Sequence, residues 1–148
     1  MTDMQHDRIR CVYPADENRR IVINERGLVL AENGAGEWLI YGAADGAVHS
    51  AADHLAWLLP LLERQPADVV ATLSSTGFTS ETPLPALLRF ALTSWGHYWP
   101  GLALTWLESG WPSTGLLDVL AEMRSNPQLP QPLRHRALRL WRQASTEV

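Results

Sequence analysis

Apolar and polar residues alternate along the first third of the chain. Alternation of period two over residues 8 to 41, interrupted by the turn-forming segments PADEN, ERG and NGAG, is typical of strands with one buried face. The predicted strands are Ile9–Tyr13, Arg20–Asn24, Leu28–Glu32 and Trp38–Tyr41. Because Arg26-Gly27 and Asn33-Gly34 tolerate positive φ, consecutive strands should pair as antiparallel hairpins. Residues 1–45 are therefore predicted to form a β-meander.

From Ser50 the apolar residues recur every three or four positions, which is the period of a helix. Ser50 and Asp53 have the spacing of a capping box, while Pro60 predicts a kink or an early end. A short helix from Pro66 comes next, although its VVATL segment would also suit a strand. Pro83 directly after Thr82 is typical of the start of a third helix.

The predicted helices begin near residues 51, 67, 83, 99, 114 and 131, and the pairs repeat at about 32 residues. Helix-pair repeats of roughly 30 to 45 residues build α-solenoids such as HEAT arrays. The pattern predicts an α+β fold in which residues 50–144 form five or six helices in HEAT-like hairpins. An irregular helical bundle is the alternative.

The composition favours a folded intracellular protein. A chain of 148 residues with 46% apolar and 19% charged residues is long enough for one core, so residues 1–148 are predicted to form a single domain. No apolar run approaches a membrane span and the N-terminus does not resemble a signal peptide, which predicts a cytoplasmic location. The lone Cys11 excludes an internal disulfide and a multi-thiolate metal site.

Tryptophan is abundant, with seven residues in the chain. Trp95, Trp106 and Trp141 fall on predicted apolar stripes and are expected in the core. Trp57 lies off its stripe and Trp111 lies in a loop, so these two are the better candidates for exposed anchors of the kind enriched at binding hot spots.

Two features suggest chemistry other than protein binding. Asp45, His49, Asp53 and His54 would suit a small metal-dependent hydrolase, but on a continuous helix the two histidines would point in different directions and could not share a metal. Nucleophile-elbow, Walker, dinucleotide-binding and zincin motifs are absent from the sequence. We therefore predict no enzyme activity, no cofactor and no catalytic or metal-binding residues.

The last predicted helix is rich in arginine, which is the second such feature. The arginines are Arg134, Arg136, Arg139 and Arg142. They would suit a nucleic-acid or regulatory module, or contact with an acidic partner or another subunit. Alternatively, they solvate the outer face of the helix and oppose its dipole. The formal net charge of −4 argues against general affinity for nucleic acid.

The segments YWPGLALTWLESGW and LLDVLAEMRSNPQLPQPLRHRALRLWRQ resemble the helical tails of small bacterial immunity proteins of polymorphic or type VI secreted toxins. The resemblance implies a non-catalytic protein that neutralises a cognate toxin by direct stoichiometric binding. It implies no catalytic residue to transfer.

An acidic inhibitor would suit a toxin with a basic surface, because complementary fields speed association. Asp118 and Glu122 lie four residues apart, so they should project together from one helix, and Glu108 and Glu81 would extend this acidic edge if the helix pairs stack in register. With Trp111, these are the predicted partner-binding residues. We expect no nucleic-acid or membrane partner, and a monomer or weak homo-oligomer.

Overall fold

Four short antiparallel strands open the part of the chain that the computed structural model describes, residues 20–146. They are β1 (Arg20–Val22), β2 (Val29–Glu32), β3 (Trp38–Tyr41) and β4 (His49–Ser50), in that order across one sheet. Leu30 lies opposite Ile21 in β1 and opposite Ile40 in β3, so the register sets buried aliphatic side chains side by side. This confirms the predicted meander over its last three strands.

The predicted strand Ile9–Tyr13 and the lone Cys11 lie outside the described residues.

An asparagine organises each of the first two hairpin turns. The side-chain carbonyl of Asn24 accepts two backbone N–H groups of its own turn at 3.0 and 3.3 Å, and that of Asn33 does the same at 2.9 and 3.0 Å. The left-handed positions are Gly27 and Gly36, with φ of 94° and 81°. In the second turn the left-handed residue is Gly36 and not the predicted Gly34, because the turn that Asn33 organises extends to Glu37.

The fourth strand was not predicted. His49 and Ser50 pair with β3, and a 3-10 turn follows at Ala51–Asp53. Because Ser50 belongs to the sheet and makes no side-chain cap hydrogen bond, the predicted capping box is wrong.

Six α-helices follow within residues 20–146, as predicted. They are α1 (Leu55–Leu58), α2 (Pro66–Ser75), α3 (Pro83–Leu92), α4 (Tyr98–Glu108), α5 (Leu117–Arg124) and α6 (Gln131–Thr146). The early end predicted at Pro60 is confirmed, because α1 gives way at once to a 3-10 turn, Leu59–Glu63. Proline has no N–H to bond the carbonyl four residues back.

The chain divides into two compact units, with the division inside α3 between Ala86 and Leu87. The prediction of a single domain stays a prediction. None of the helices in residues 20–146 combines the length and apolarity that crossing a membrane would need.

In the first unit, the segment after α2 is fastened to the sheet by two side chains. Trp38 is buried in β3 and its Nε1–H donates to the Ser80 carbonyl at 3.1 Å, while its ring meets Phe78 edge to face at 5.4 Å between centroids. The Glu32 carboxylate accepts N–H bonds from Thr79 and Ser80 at 2.9 to 3.1 Å. Residues far apart in sequence are thereby held together.

The second unit is helical. Along α6 the buried residues Leu133, Ala137 and Leu140 follow helical spacing, and α6 packs against both α5 and α4. Trp106 of α4 is 1% exposed, which confirms the prediction that it is a core residue. Regular HEAT-like stacking over the whole helical part stays a prediction.

Candidate protein-binding site

Asp118, the first predicted acidic contact, forms an ion pair within the second unit. Its two carboxylate oxygens accept from the Arg89 guanidinium, each at 3.0 Å. Arg89 also donates to the Gly115 carbonyl. The hydrogen bond from Arg89 lowers the pKa of Asp118 below its ordinary value.

Glu108 is paired in a similar way. Arg136 of α6 donates to its two oxygens from Nε at 3.0 Å and from Nη2 at 2.7 Å. The same Nη2 lies 3.2 Å from the Gly101 carbonyl and 3.0 Å from Thr105 Oγ1. Sequence reasoning identified both acids but did not pair them with Arg89 and Arg136, because neither arginine is a near neighbour of its acid in sequence.

The remaining predicted contacts differ in their surroundings. Glu122 is exposed one turn after Asp118, and its charge helps to raise the pKa of Arg89, after the larger effect of the Asp118 hydrogen bond. Glu81 is exposed and belongs to the first unit. Trp111 is partly buried, with its ring 5.2 Å from that of Trp106.

A strongly exposed aromatic site lies in the segment 93–99, here named the aromatic turn. Trp95 is 96% exposed and Tyr98 is 58% exposed, and the Tyr98 ring stands against Trp99 at 4.8 Å between centroids. The prediction that Trp95 is a core residue is therefore wrong. Residues 90–107, which include the turn, contain no Asp, Glu, Lys or Arg.

The position of Trp95 follows from where α3 ends. The hydroxyls of Thr93 and Ser94 donate to the carbonyls of Arg89 and Phe90 at 2.9 and 2.7 Å, and Gly96 takes a φ of 77°. Side-chain bonds of this kind and a left-handed glycine are typical of a helix end. The Thr-Ser and Gly signals in the sequence could have placed Trp95 outside the helix.

The prediction for Trp141 is also wrong. Trp141 was predicted to be a core residue, but it is partly exposed, and the Arg124 guanidinium lies over its ring at 4.3 Å from the centroid. The apolar stripe of α6 is narrow, so Trp141 falls beside the buried line that ends with Leu140.

The histidine cluster differs from its prediction in one respect. His49 and His54 lie close together, with ring centroids 4.7 Å apart, because a strand and a 3-10 turn replace the expected continuous helix. His49 Nε2 contacts Asp45 Oδ2 at 2.8 Å, and Trp57 packs against both rings. Even so, the described residues contain no group of three or more His, Cys, Asp or Glu side chains placed to hold a metal.

Comparison of the chain with protein-family models, with curated proteins and with solved structures finds no match. The aromatic turn and the acidic residues of α5 are therefore interpreted from their own chemistry.

Proposed function

We propose that this protein acts by binding a second protein in a stoichiometric complex, with the aromatic turn as its central contact. The observation that carries the proposal is the 96% exposure of Trp95, with Tyr98 exposed beside it in the turn. Tryptophan and tyrosine are enriched among the residues that contribute most to protein–protein binding.

The chemistry of the turn suits this role. Burying an indole ring removes a large apolar area from water, whereas burying a charged group would carry a desolvation cost. Since residues 90–107 hold no Asp, Glu, Lys or Arg, a partner could cover the turn without desolvating a carboxylate, an ammonium or a guanidinium group of that stretch. Tyr98 adds a second exposed aromatic ring to such a contact.

Within this proposal, the partner is a secreted bacterial toxin and the protein is its immunity protein. The resemblance of residues 98–111 and 116–143 to immunity-protein tails supports the assignment, as does the net charge of −4. Glu122 and Glu81 expose carboxylates that would favour a toxin with a basic surface. Asp118 and Glu108 contribute less to such a field, because each is already paired with an arginine.

The test is calorimetric titration with the purified product of the adjacent reading frame. The wild-type protein should bind with one-to-one stoichiometry, and Trp95→Ala should weaken binding by about 30-fold or more, as expected for a hot-spot residue. Val48→Ala is the matched control, because Val48 is an exposed apolar residue of the first unit, at 43%. It should leave the affinity within about twofold.

Two outcomes would contradict the proposal. Wild-type affinity in Trp95→Ala would remove the aromatic turn from the interface. Failure of the two wild-type proteins to associate at any concentration would defeat the immunity assignment.

The charge contribution is tested separately by association kinetics. Glu122→Arg should slow association, and the wild-type rate should fall as salt rises. Glu122 is preferred to Asp118 for this test because reversing Asp118 would set two arginine side chains against each other. An unchanged association rate in Glu122→Arg would place the electrostatic contact elsewhere.

A further inference from the structure

A groove of about 600 Å³ opens on the surface of the first unit, separate from the residues of the aromatic turn. Three segments form its walls: the β1–β2 turn with Arg26 and Leu28, the β3–β4 turn ending at Asp45, and the α1 region with Trp57 and Pro60. Sites for small organic ligands have volumes of roughly 300 to 1,000 Å³ and combine mostly apolar walls with a few polar groups. The groove has this size and composition.

Its two charged residues differ in what holds them. The Asp45 carboxylate accepts the Ala47 N–H at 2.9 Å and contacts His49 Nε2 at 2.8 Å, so internal partners stabilise its charge. The Arg26 guanidinium has neither a hydrogen bond nor an ion pair with any residue in the range 20–146. The unsatisfied charge at the groove is therefore a cation.

The local structure fixes the wall that carries this cation. Asn24 Oδ1 accepts the backbone N–H of Arg26 at 3.0 Å, and the Ile23 N–H donates to the Leu28 carbonyl at 2.8 Å. A second groove of about 600 Å³ is also lined by Arg26. There, however, the guanidinium of its neighbour Arg64 is bound to the Val22 carbonyl at 2.8 Å.

The α1 wall of the groove is aromatic and held in place. The Trp57 ring lies 4.4 Å from the His54 ring and 5.0 Å from the His49 ring, between centroids. The His54 ring is itself tied to the chain through Nδ1, 3.2 Å from the Ser50 carbonyl. An indole packed against two other rings provides an ordered surface for an apolar group.

We infer that this groove binds a small organic carboxylate, whose aromatic or aliphatic body lies against Trp57 and whose carboxylate pairs with Arg26. The planar guanidinium matches a carboxylate in geometry and charge. Leu28 and Pro60 complete the apolar surface around the body of the ligand. The inference does not depend on the proposed protein-binding role, because it concerns a different set of residues.

The probes for a test are 4-phenylbutyrate and its neutral counterpart 4-phenylbutyramide, which share an apolar body and differ in charge. Titration of the ¹⁵N-labelled protein, followed by NMR, should shift the Trp57 indole N–H and the backbone amides of Gly42 to Asp45. The carboxylate should bind about tenfold more tightly than the amide. This is the gain in affinity expected from one charge-assisted hydrogen bond at a partly exposed site.

Arg26→Gln should abolish the preference for the carboxylate while leaving amide binding unchanged. Arg142→Gln is the matched control, since Arg142 is exposed on α6 and outside the groove, and it should retain the preference. Trp57→Ala should weaken both probes. Because loss of Trp57 also removes contacts to His49 and His54, Arg26→Gln is the decisive variant.

Equal affinity of the wild-type protein for the two probes would overturn the inference, as would a preference that survives Arg26→Gln. Shifts confined to residues outside the groove, or no shift up to the solubility of the carboxylate, would also overturn it. None of these results would bear on the complex proposed for the aromatic turn.

Discussion

Trp106 and Trp95 are the same residue type on neighbouring parts of the second unit, and they have opposite environments. Trp106 is 1% exposed in the last turn of α4, whereas Trp95 is 96% exposed in the turn before that helix. Both lie on lines of apolar residues with helical spacing. An apolar stripe thus predicts burial only as far as the helix that carries it continues.

The ends of the helices account for the difference. α3 ends at Leu92, where the Thr93 and Ser94 hydroxyls bond back to its carbonyls. In α4 the buried residues continue past Trp106 to Leu107. Burial stabilises the fold at one tryptophan, and exposure leaves the other available for binding.

The largest effect should come from replacing the buried ring. Trp106→Ala should lower the free energy of unfolding by about 3 to 5 kcal/mol, because it removes a buried aromatic side chain and leaves a cavity. Trp95→Ala should change it by less than about 0.5 kcal/mol, as is usual for an exposed site. Urea denaturation of the two variants measures both values. Similar losses of unfolding free energy in the two variants would contradict the assignment of one buried and one exposed tryptophan.

Arg136 should have the next largest effect, since it holds α4 to α6. Its guanidinium bonds Glu108, Thr105 and the Gly101 carbonyl, and its side chain is 23% exposed. Arg136→Gln should cost about 1 to 2 kcal/mol, the range for hydrogen bonds to charged groups. Arg139→Gln, at an exposed position of the same helix, is the control and should cost less than about 0.5 kcal/mol. Equal losses would show that the Arg136 bonds contribute nothing.

Gly96→Ala tests the turn itself. Gly96 has a φ of 77°, and nothing lies within 4 Å of an added Cβ, so the cost arises from the backbone alone. We expect a loss of about 1 kcal/mol by urea denaturation, since alanine is strained in this region. Gly34→Ala is the control, because Gly34 also has open space and no positive φ. A stabilised Gly96→Ala protein would contradict the left-handed turn.

The smallest effect is a dependence of stability on pH from the ion pair between Asp118 of α5 and Arg89 of α3, the helix before the turn. The hydrogen bond from Arg89 lowers the pKa of Asp118 below its ordinary value of 3.8. Folding therefore favours the ionised carboxylate of Asp118. The ion pair's contribution to the free energy of unfolding is fully present above the ordinary pKa of 3.8, and it is lost as the pH falls through the lowered pKa of the folded protein. The difference in melting temperature between wild type and Asp118→Asn should shrink as the pH is lowered below about 4. A difference that stays constant would mean that the pair is not formed in solution.

The sequence predicted the regular elements well, because their signals are local. Pro66 and Pro83 open their helices as expected, and Pro60 ends α1 early. The two-residue strand His49–Ser50 was missed because two residues carry no periodicity, and this error also separated His49 from His54.

The candidate sites were less predictable for a different reason. The pairing of Asp118 with Arg89 and of Glu108 with Arg136 depends on how the helices pack, which local patterns do not specify. The exposure of Trp95 depends on a helix end whose Thr-Ser and Gly signals compete with an apolar stripe. At such positions the local chain chemistry overrides periodicity.

The central claim, that Trp95 is exposed in the free protein and covered by a protein partner, can be measured directly with 5-fluorotryptophan labelling. Fluorine NMR gives one resonance per tryptophan, and Trp95→Phe and Trp106→Phe assign the two of interest. In the free protein the Trp95 resonance should show the full solvent isotope shift between H₂O and D₂O, and Trp106 should show almost none. On adding the product of the adjacent reading frame, Trp95 should move and lose its isotope shift while Trp106 stays unchanged. A complex that forms without altering the Trp95 resonance would contradict the account.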